Sequence, residues 1–219
     1  AMNGQFSKAA VLIMIAAVLD GLDGKIARFT NTTSRFGVEY DSLSDLVSFG
    51  MAPAILAYLW ALEPYGRAGW IIAFLFVVCG ALRLARFNVQ TSAVVSKVFV
   101  GLPIPAAALI VAATITFREF LGGTGEFNHP IVPVAMVCLS LLMVSNIHYY
   151  SFKDLNFFAR KPFMTLVVIV LVFVVIVMQP HLMLFAIAVG YGLSGPSWMV
   201  YRLIHKKKEL PEESPEFGK

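Results

Sequence analysis

The sequence predicts an all-α fold: a polytopic transmembrane helical bundle with seven spans in this chain. Three observations lead there. Of 219 residues, 58% are hydrophobic and 14% charged, with a mean hydropathy of +0.78, a balance unlike that of soluble domains. The apolar residues gather into blocks long enough to cross a hydrocarbon core of about 30 Å, which takes roughly 20 helical residues. The positive charges fall almost wholly on one side of the bundle those blocks would make. Backbone amides in lipid must be satisfied within the segment or in a closed barrel, and uninterrupted apolar runs of this length exclude short alternating strands.

The blocks cover residues 8–28, 37–61, 68–90, 99–119, 129–149, 162–178 and 182–204. The first two are separated by polar Asn31-Thr32-Thr33-Ser34. Gly101, Pro103 and Pro105 mark the start of the fourth, where missing amide donors loosen a helix. The uncharged run from Pro162 to Tyr201 is too long for one crossing, and Gln179-Pro180-His181 supplies the fold-back. His181 reads as an interfacial polar residue. Residues 1–205 form one membrane domain and 206–219 a polar, proline-bearing cytoplasmic tail. Cys79 and Cys138 sit in apolar blocks without metal-ligand spacing and read as buried small hydrophobes. No signal-peptide pattern and no internal repeat is visible.

If the blocks alternate across the bilayer, Lys25, Arg28, Arg35, Arg83, Arg86, Lys97, Lys153, Arg160, Lys161, Arg202, Lys206, Lys207, Lys208 and Lys219 share one side. Only Lys8, Arg67 and Arg118 face the other, a split of 14 against 3 among 17 basic residues. By the positive-inside rule the rich side is cytoplasmic. The basic balance therefore reports topology and contact with membrane lipids, to which Lys25 and Lys206–Lys208 are assigned, and excludes nucleic acid as the partner.

Against this background Asp20, Asp23, Asp41 and Asp45 are anomalous, because ionisable groups within a span are expensive and mark function. Asp20 and Asp23 are three residues apart and Asp41 and Asp45 four, so each pair shares a helical face. An antiparallel hairpin folded about Thr32 sets Asp23 level with Asp41 and Asp20 level with Asp45. Four converging carboxylates cannot all stay ionised in a low dielectric without cations. With no His or Cys nearby, all-oxygen ligation points to Mg²⁺ or Mn²⁺, and four carboxylates suit two ions of a phosphoryl-transfer clamp. Gly24, Ala27 and Gly37 repeat the same faces. Their small size admits either a ligand or a closely packed helix.

Asp20-x-x-Asp23-Gly24-x-x-Ala27-Arg28, followed by Gly37-x-x-x-Asp41-x-x-x-Asp45, resembles the full signature of the CDP-alcohol phosphotransferases. Phe36 to Asp45 with Ser48-Phe49-Gly50, Arg83-Leu84-Ala85-Arg86-Phe87-Asn88 and Gly101-Leu102-Pro103-Ile104-Pro105 are similar to the branch of that family whose acceptor is serine. The resemblance implies that Asp20, Asp23 and Asp41 ligate metal, and that Asp45 joins the second ion and acts as general base. It also implies that Gly24, Ala27 and Gly37 shape the cytidine pocket around Arg28 and Asp41. CDP-diacylglycerol and L-serine would be the substrates, CMP and a phosphatidyl lipid the products, and a homodimer the assembly. Family members carry an amphipathic segment and a helix before the motif helix, so eight spans are expected in the intact protein.

The carboxylates lie roughly 6 to 12 Å from the basic ends of their helices by helical rise, a depth where soluble nucleotide and buried lipid meet. The site is thus expected to face the cytoplasm at a bacterial or archaeal cell membrane. Arg83, Arg86 and Asn88 lie toward the same side and either bind the acceptor's anionic group or, for the arginines, snorkel to the interface. Glycerol-3-phosphate and an inositol phosphate are the alternative acceptors. A cation transporter is the competing class, disfavoured by the missing repeat and the off-centre depth of the aspartates.

Overall fold

The computed structural model describes residues 1–29, 34–91, 98–123, 125–150 and 178–206. Among the described residues the regular structure is helical apart from one two-stranded ribbon of three residues per strand. In order, the elements are α1 (Phe6–Phe29), α2 (Arg35–Asp45), a π-helical turn (Leu46–Met51), α3 (Ala52–Ala57), a second π-helical turn (Tyr58–Leu62) and a 3₁₀ turn (Glu63–Tyr65). After these come α4 (Arg67–Thr91), β1 (Val98–Val100), α5 (Ile104–Phe120), α6 (Ile131–Val144), β2 (His148–Tyr150) and α7 (Pro180–Lys206).

Among the described residues, three helical stretches are long and apolar enough to cross a membrane: Phe36–Tyr65, Arg67–Val89 and Pro180–Arg202. Ile131–Val144 is a shorter apolar helix. The seven expected spans are thus matched as three by length and composition. The first block is a 24-residue helix, but its stretch from Asp20 onward carries Asp20, Asp23, Lys25 and Arg28. The fourth is shortened to 17 residues because Gly101, at φ 81°, turns the chain before Pro103 caps α5. The fifth ends at Val144, where Ser145 becomes extended and leads into β2. The sixth block lies outside the described residues except for Met178, and of the 206–219 tail only Lys206 lies within them. Cys79 is buried as expected; Cys138 is exposed on α6.

The second span contains a feature that periodicity did not reveal. Pro53 has no amide to donate and would crowd the carbonyl four residues back. The turn before it, Leu46–Met51, widens to π geometry and absorbs that defect. The helix therefore changes winding directly after Asp45, and Phe49 and Gly50 are turned into the core. Around that joint pack α1, α4 and α5, with Ala10, Phe49, Phe76, Ile104 and Ala108 all buried. The ribbon closes the opposite flank: β1 and β2 are antiparallel with Phe99 opposite Tyr149. Gly101 donates to the Ile147 carbonyl at 2.8 Å and Leu102 to the Leu142 carbonyl at 3.0 Å, tying the start of α5 to the end of α6.

α7 is fixed by a second proline joint. Pro196 lies inside the helix and cannot donate to the Gly192 carbonyl, which a normal residue there would satisfy. The Tyr149 hydroxyl donates to that same carbonyl at 3.1 Å. Its ring, 0% exposed, lies against Gly195, where any β-carbon would collide with it. Leaving a buried carbonyl unpaired costs roughly 1 to 3 kcal/mol. Tyr149→Phe is therefore expected to destabilise the detergent-solubilised protein by about that amount. Pro196→Ala restores the helical donor, so the same tyrosine change should cost clearly less in that background, measured by thermal unfolding.

Candidate metal and phosphoryl-transfer site

α1 and α2 face one another with their acidic positions together. Asp20, Asp41 and Asp45 each present a carboxylate oxygen within 4.8 Å of the others. Asp20 and Asp45 are half-buried, and Asp41 is exposed. The hairpin reading thus brings three of its four carboxylates into one group. Asp23, one turn further along α1, is exposed and outside that group, although its charge still acts on Asp20. Residues 30–33, between the two helices, lie outside the described residues.

Local chemistry explains how α2 presents its pair. Ser34 is extended and caps the helix, its hydroxyl accepting from the Gly37 amide at 3.0 Å. A β-carbon at Gly37 would stand 3.1 Å from that hydroxyl oxygen, so the small residue protects the cap as well as leaving α2 open on this face. Ser42, one residue after Asp41, donates to the Val38 carbonyl at 3.1 Å and accepts from the Asn88 side chain at 3.0 Å. Asn88 also donates to Glu39 at 3.4 Å. α2 is thereby bolted to the end of α4 beside its own aspartates.

Of the residues expected to bind acceptor, Arg83 is the one whose charge acts on Asp45. It is 8% exposed, its guanidinium sits over the Phe87 ring at 5.2 Å, and its charge acts on Asp45 and Tyr191. Arg86 instead donates to the Ser145 carbonyl at 3.4 Å and the Asn146 side chain at 3.2 Å, joining α4 to the end of α6. Asn88 has the α2 partners just given. Gly24 is exposed on the acidic face of α1, and the side chains of Ala27 and Arg28 lie outside the described residues. At the far end of the bundle Lys8 and Arg118 line a common cavity with Trp60 and Glu119. About 12 residues of α1, roughly 18 Å of helix, separate that end from Asp20.

Tyr191 is the residue that the sequence reading missed. It lies in a span that seemed to offer only hydrophobicity, yet its ring packs beside that of Tyr149, with centroids 5.7 Å apart. The signal was present in Gly192-x-x-Gly195-Pro196, which marks a helix opened for close packing, but nothing local says what would fill the opening.

Three carboxylates this close, with the Arg83 charge acting on Asp45, form an all-oxygen donor set that fits a hard divalent ion. Asp20→Asn or Asp41→Asn should weaken Mn²⁺ binding to the purified protein at least about tenfold, since each removes charge from the shared group. Asp23→Asn should weaken it less. Titration calorimetry measures all three, and an unchanged affinity in the first two would remove the site from this position.

Comparison with known proteins follows the same residues. The family profile of CDP-alcohol phosphatidyltransferase matches residues 1–141. A protein of Helicobacter pylori named CDP-diacylglycerol–serine O-phosphatidyltransferase is 42% identical over 177 residues, covering 80% of this chain and 73% of that protein. One of Mycobacterium tuberculosis with the same name is 32% identical over 196 residues, 87% of this chain and 68% of the relative. The archaetidylserine synthase of Methanothermobacter thermautotrophicus is 39% identical over 150 residues, covering 68% and 60%.

Proposed function

Since the chain belongs to the CDP-alcohol phosphatidyltransferase family, we propose that it transfers the phosphatidyl group of CDP-diacylglycerol to L-serine, releasing CMP and forming phosphatidylserine. The observation that carries this reading is the meeting of Asp20, Asp41 and Asp45 at one point between α1 and α2, within a sequence similar along most of its length to serine-specific relatives.

The serine hydroxyl is hardly ionised at neutral pH and needs a base. Asp45 takes that role because it is the half-buried member of its pair and the one on which the Arg83 charge acts. It accepts the hydroxyl proton as the oxygen attacks the lipid-side phosphorus. A new phosphorus–oxygen bond forms, the bond to the CMP oxygen breaks, and CMP leaves with that electron pair. Two divalent cations, Mg²⁺ or Mn²⁺, held by Asp20, Asp23, Asp41 and Asp45 would neutralise charge on the pyrophosphate and the leaving group. Gly24, Ala27 and Gly37 leave room for the cytidine beside Arg28 and Asp41. Arg83 supplies the counter-charge for the serine carboxylate, a group to which guanidinium is geometrically matched. Arg86 and Asn88 stand at the rim and hold the surrounding helices.

In this reading the chain crosses the membrane seven times, with the carboxylates at the cytoplasmic face and Lys8, Arg67 and Arg118 outside. Family resemblance alone supports a homodimer. Labelling of engineered cysteines should place positions 153 and 206 on the same side as 35, with 67 and 118 opposite. Exchange between those sets would overturn the span count.

Purified protein given CDP-diacylglycerol and a divalent ion should release CMP with serine, and not with glycerol-3-phosphate or an inositol phosphate. Turnover with either phosphate instead would replace serine as the acceptor. Asp45→Asn keeps shape and an oxygen ligand but cannot accept the proton. CMP formation should fall by about 10²-fold or more, the range of general-base catalysis, while CDP-lipid binding persists. A rate restored by raising the metal concentration would mark Asp45 as a metal anchor and not the base.

A further inference from the structure

We propose that the end of the bundle opposite the acidic site holds one anionic phospholipid, its phosphate between Lys8 and Arg118 and one acyl chain in the cleft that runs from Trp60 along α6 and α7. The site is separate from phosphoryl transfer and uses none of the residues assigned to it.

Arg118, in the last turn of α5, is fixed before any ligand arrives. Its guanidinium donates to the Gly125 carbonyl at 3.1 Å and the Glu126 carbonyl at 3.4 Å, and it lies over the rings of Phe127 at 4.4 Å and Trp60 at 5.9 Å. Gly123 passes so close that a β-carbon there would press on the arginine side chain. A cation held in this way loses little further freedom when it meets an anion, and the two carbonyls leave it other N–H donors to offer. The cavity beside it, about 270 Å³, is lined also by Lys8 from the first turn of α1 and by Glu119. Two cations against one carboxylate leave the cavity positive. They are two of the three basic residues that the sequence places at this end, Arg67 being the third.

The second half of the site is apolar. A cleft of about 350 Å³ starts at Trp60 and Phe127, passes Phe185 of α7, and follows α6 from Ile131 to Leu142, roughly 16 Å by helical rise. The Thr114 hydroxyl on its wall already donates to the Ile110 carbonyl at 2.7 Å, so the lining makes no call on water. Lipid tails are as apolar as this wall, so the cleft by itself selects nothing and the charge beside it must. Trp60 lines the cationic cavity and the cleft alike. It is held there by a third proline defect: Pro64 lacks the amide that would satisfy the Trp60 carbonyl, and the Phe127 amide supplies that bond at 2.7 Å, with the two rings stacked 5.4 Å apart. A molecule with a negative headgroup and an acyl chain engages both parts across this junction. Free phosphate would engage only the cavity, and a neutral lipid only the cleft.

The test uses the full chain in detergent, with phosphatidylglycerol as the anionic lipid, phosphatidylcholine as the neutral one and inorganic phosphate as the free anion, and reads bound lipid by native mass spectrometry. Phosphatidylglycerol should bind about fivefold more tightly than phosphatidylcholine, the weight of one basic residue near an anionic headgroup, and inorganic phosphate should not displace it. Lys8→Gln, a change to an exposed side chain, should erase most of that preference. Ala135→Trp fills the cleft from the exposed side of α6 and should weaken both lipids. Asp20→Asn should alter neither affinity, which separates this site from occupancy of the acidic one. Equal affinity for the two lipids, phosphatidylglycerol binding unmoved by Lys8→Gln or by Ala135→Trp, displacement by inorganic phosphate, or loss of binding in Asp20→Asn would each overturn the site.

Discussion

Asp20, Asp41 and Asp45 bring three carboxylates within 4.8 Å of one another where two helices of a membrane protein meet. Two unit charges about 4 Å apart repel by about 4 kcal/mol at an effective dielectric of about 20, so the helices would spring apart unless something held them. Part of the answer is positive charge, from Arg83 and from the divalent ions the donor set suits. The rest is mechanical. α2 is capped by Ser34, clamped to α4 through Ser42 and Asn88, and continued by a span whose residues pack into the core.

The mechanical part depends on irregular helix. A straight second span would carry its α-helical register from Asp45 through Pro53, with a clash at the proline. The π-helical turn between them relieves that clash and turns Phe49 and Gly50 inward, so that the acidic face of α2 and the buried face of the core need not follow one helical stripe. Gly50 and Gly80 keep this joint close, since a β-carbon at either would press on Leu46 or Ile104. The carboxylates thus stand at the end of a rigid column and not on a loop. That suits a reaction in which placement and charge neutralisation supply most of the rate.

The C-terminal helix enters by a different principle. Pro196 leaves the Gly192 carbonyl without its helical donor, Tyr149 supplies one, and the closeness of ring to helix requires glycine at 195. A defect in one element is satisfied by a side chain from a strand more than 40 residues earlier in the chain. Tyr191 lies next to that contact, its ring 5.7 Å from that of Tyr149. α7 is in this way held to the rest of the bundle, although it contributes none of the three grouped carboxylates.

The sequence by itself determined the helical membrane class, because hydropathy and run length are local sums that no packing can reverse. It also determined the acidic faces of α1 and α2, because residues three or four apart share a face in any α-helix. The meeting of Asp20 with Asp41 and Asp45 was legible from the symmetry of the hairpin, whereas the separation of Asp23 from the group was not. Equal distance from a turn fixes depth along a helix but not rotation about its axis, and rotation is set by packing. Only the tertiary structure decided that Arg83 is buried while Arg86 ties α4 to the end of α6, that Pro53 is absorbed by a widened turn, and that Tyr149 supplies the donor α7 lacks. Each of those outcomes depends on which surfaces touch across tens of residues, and neither periodicity nor spacing carries that information.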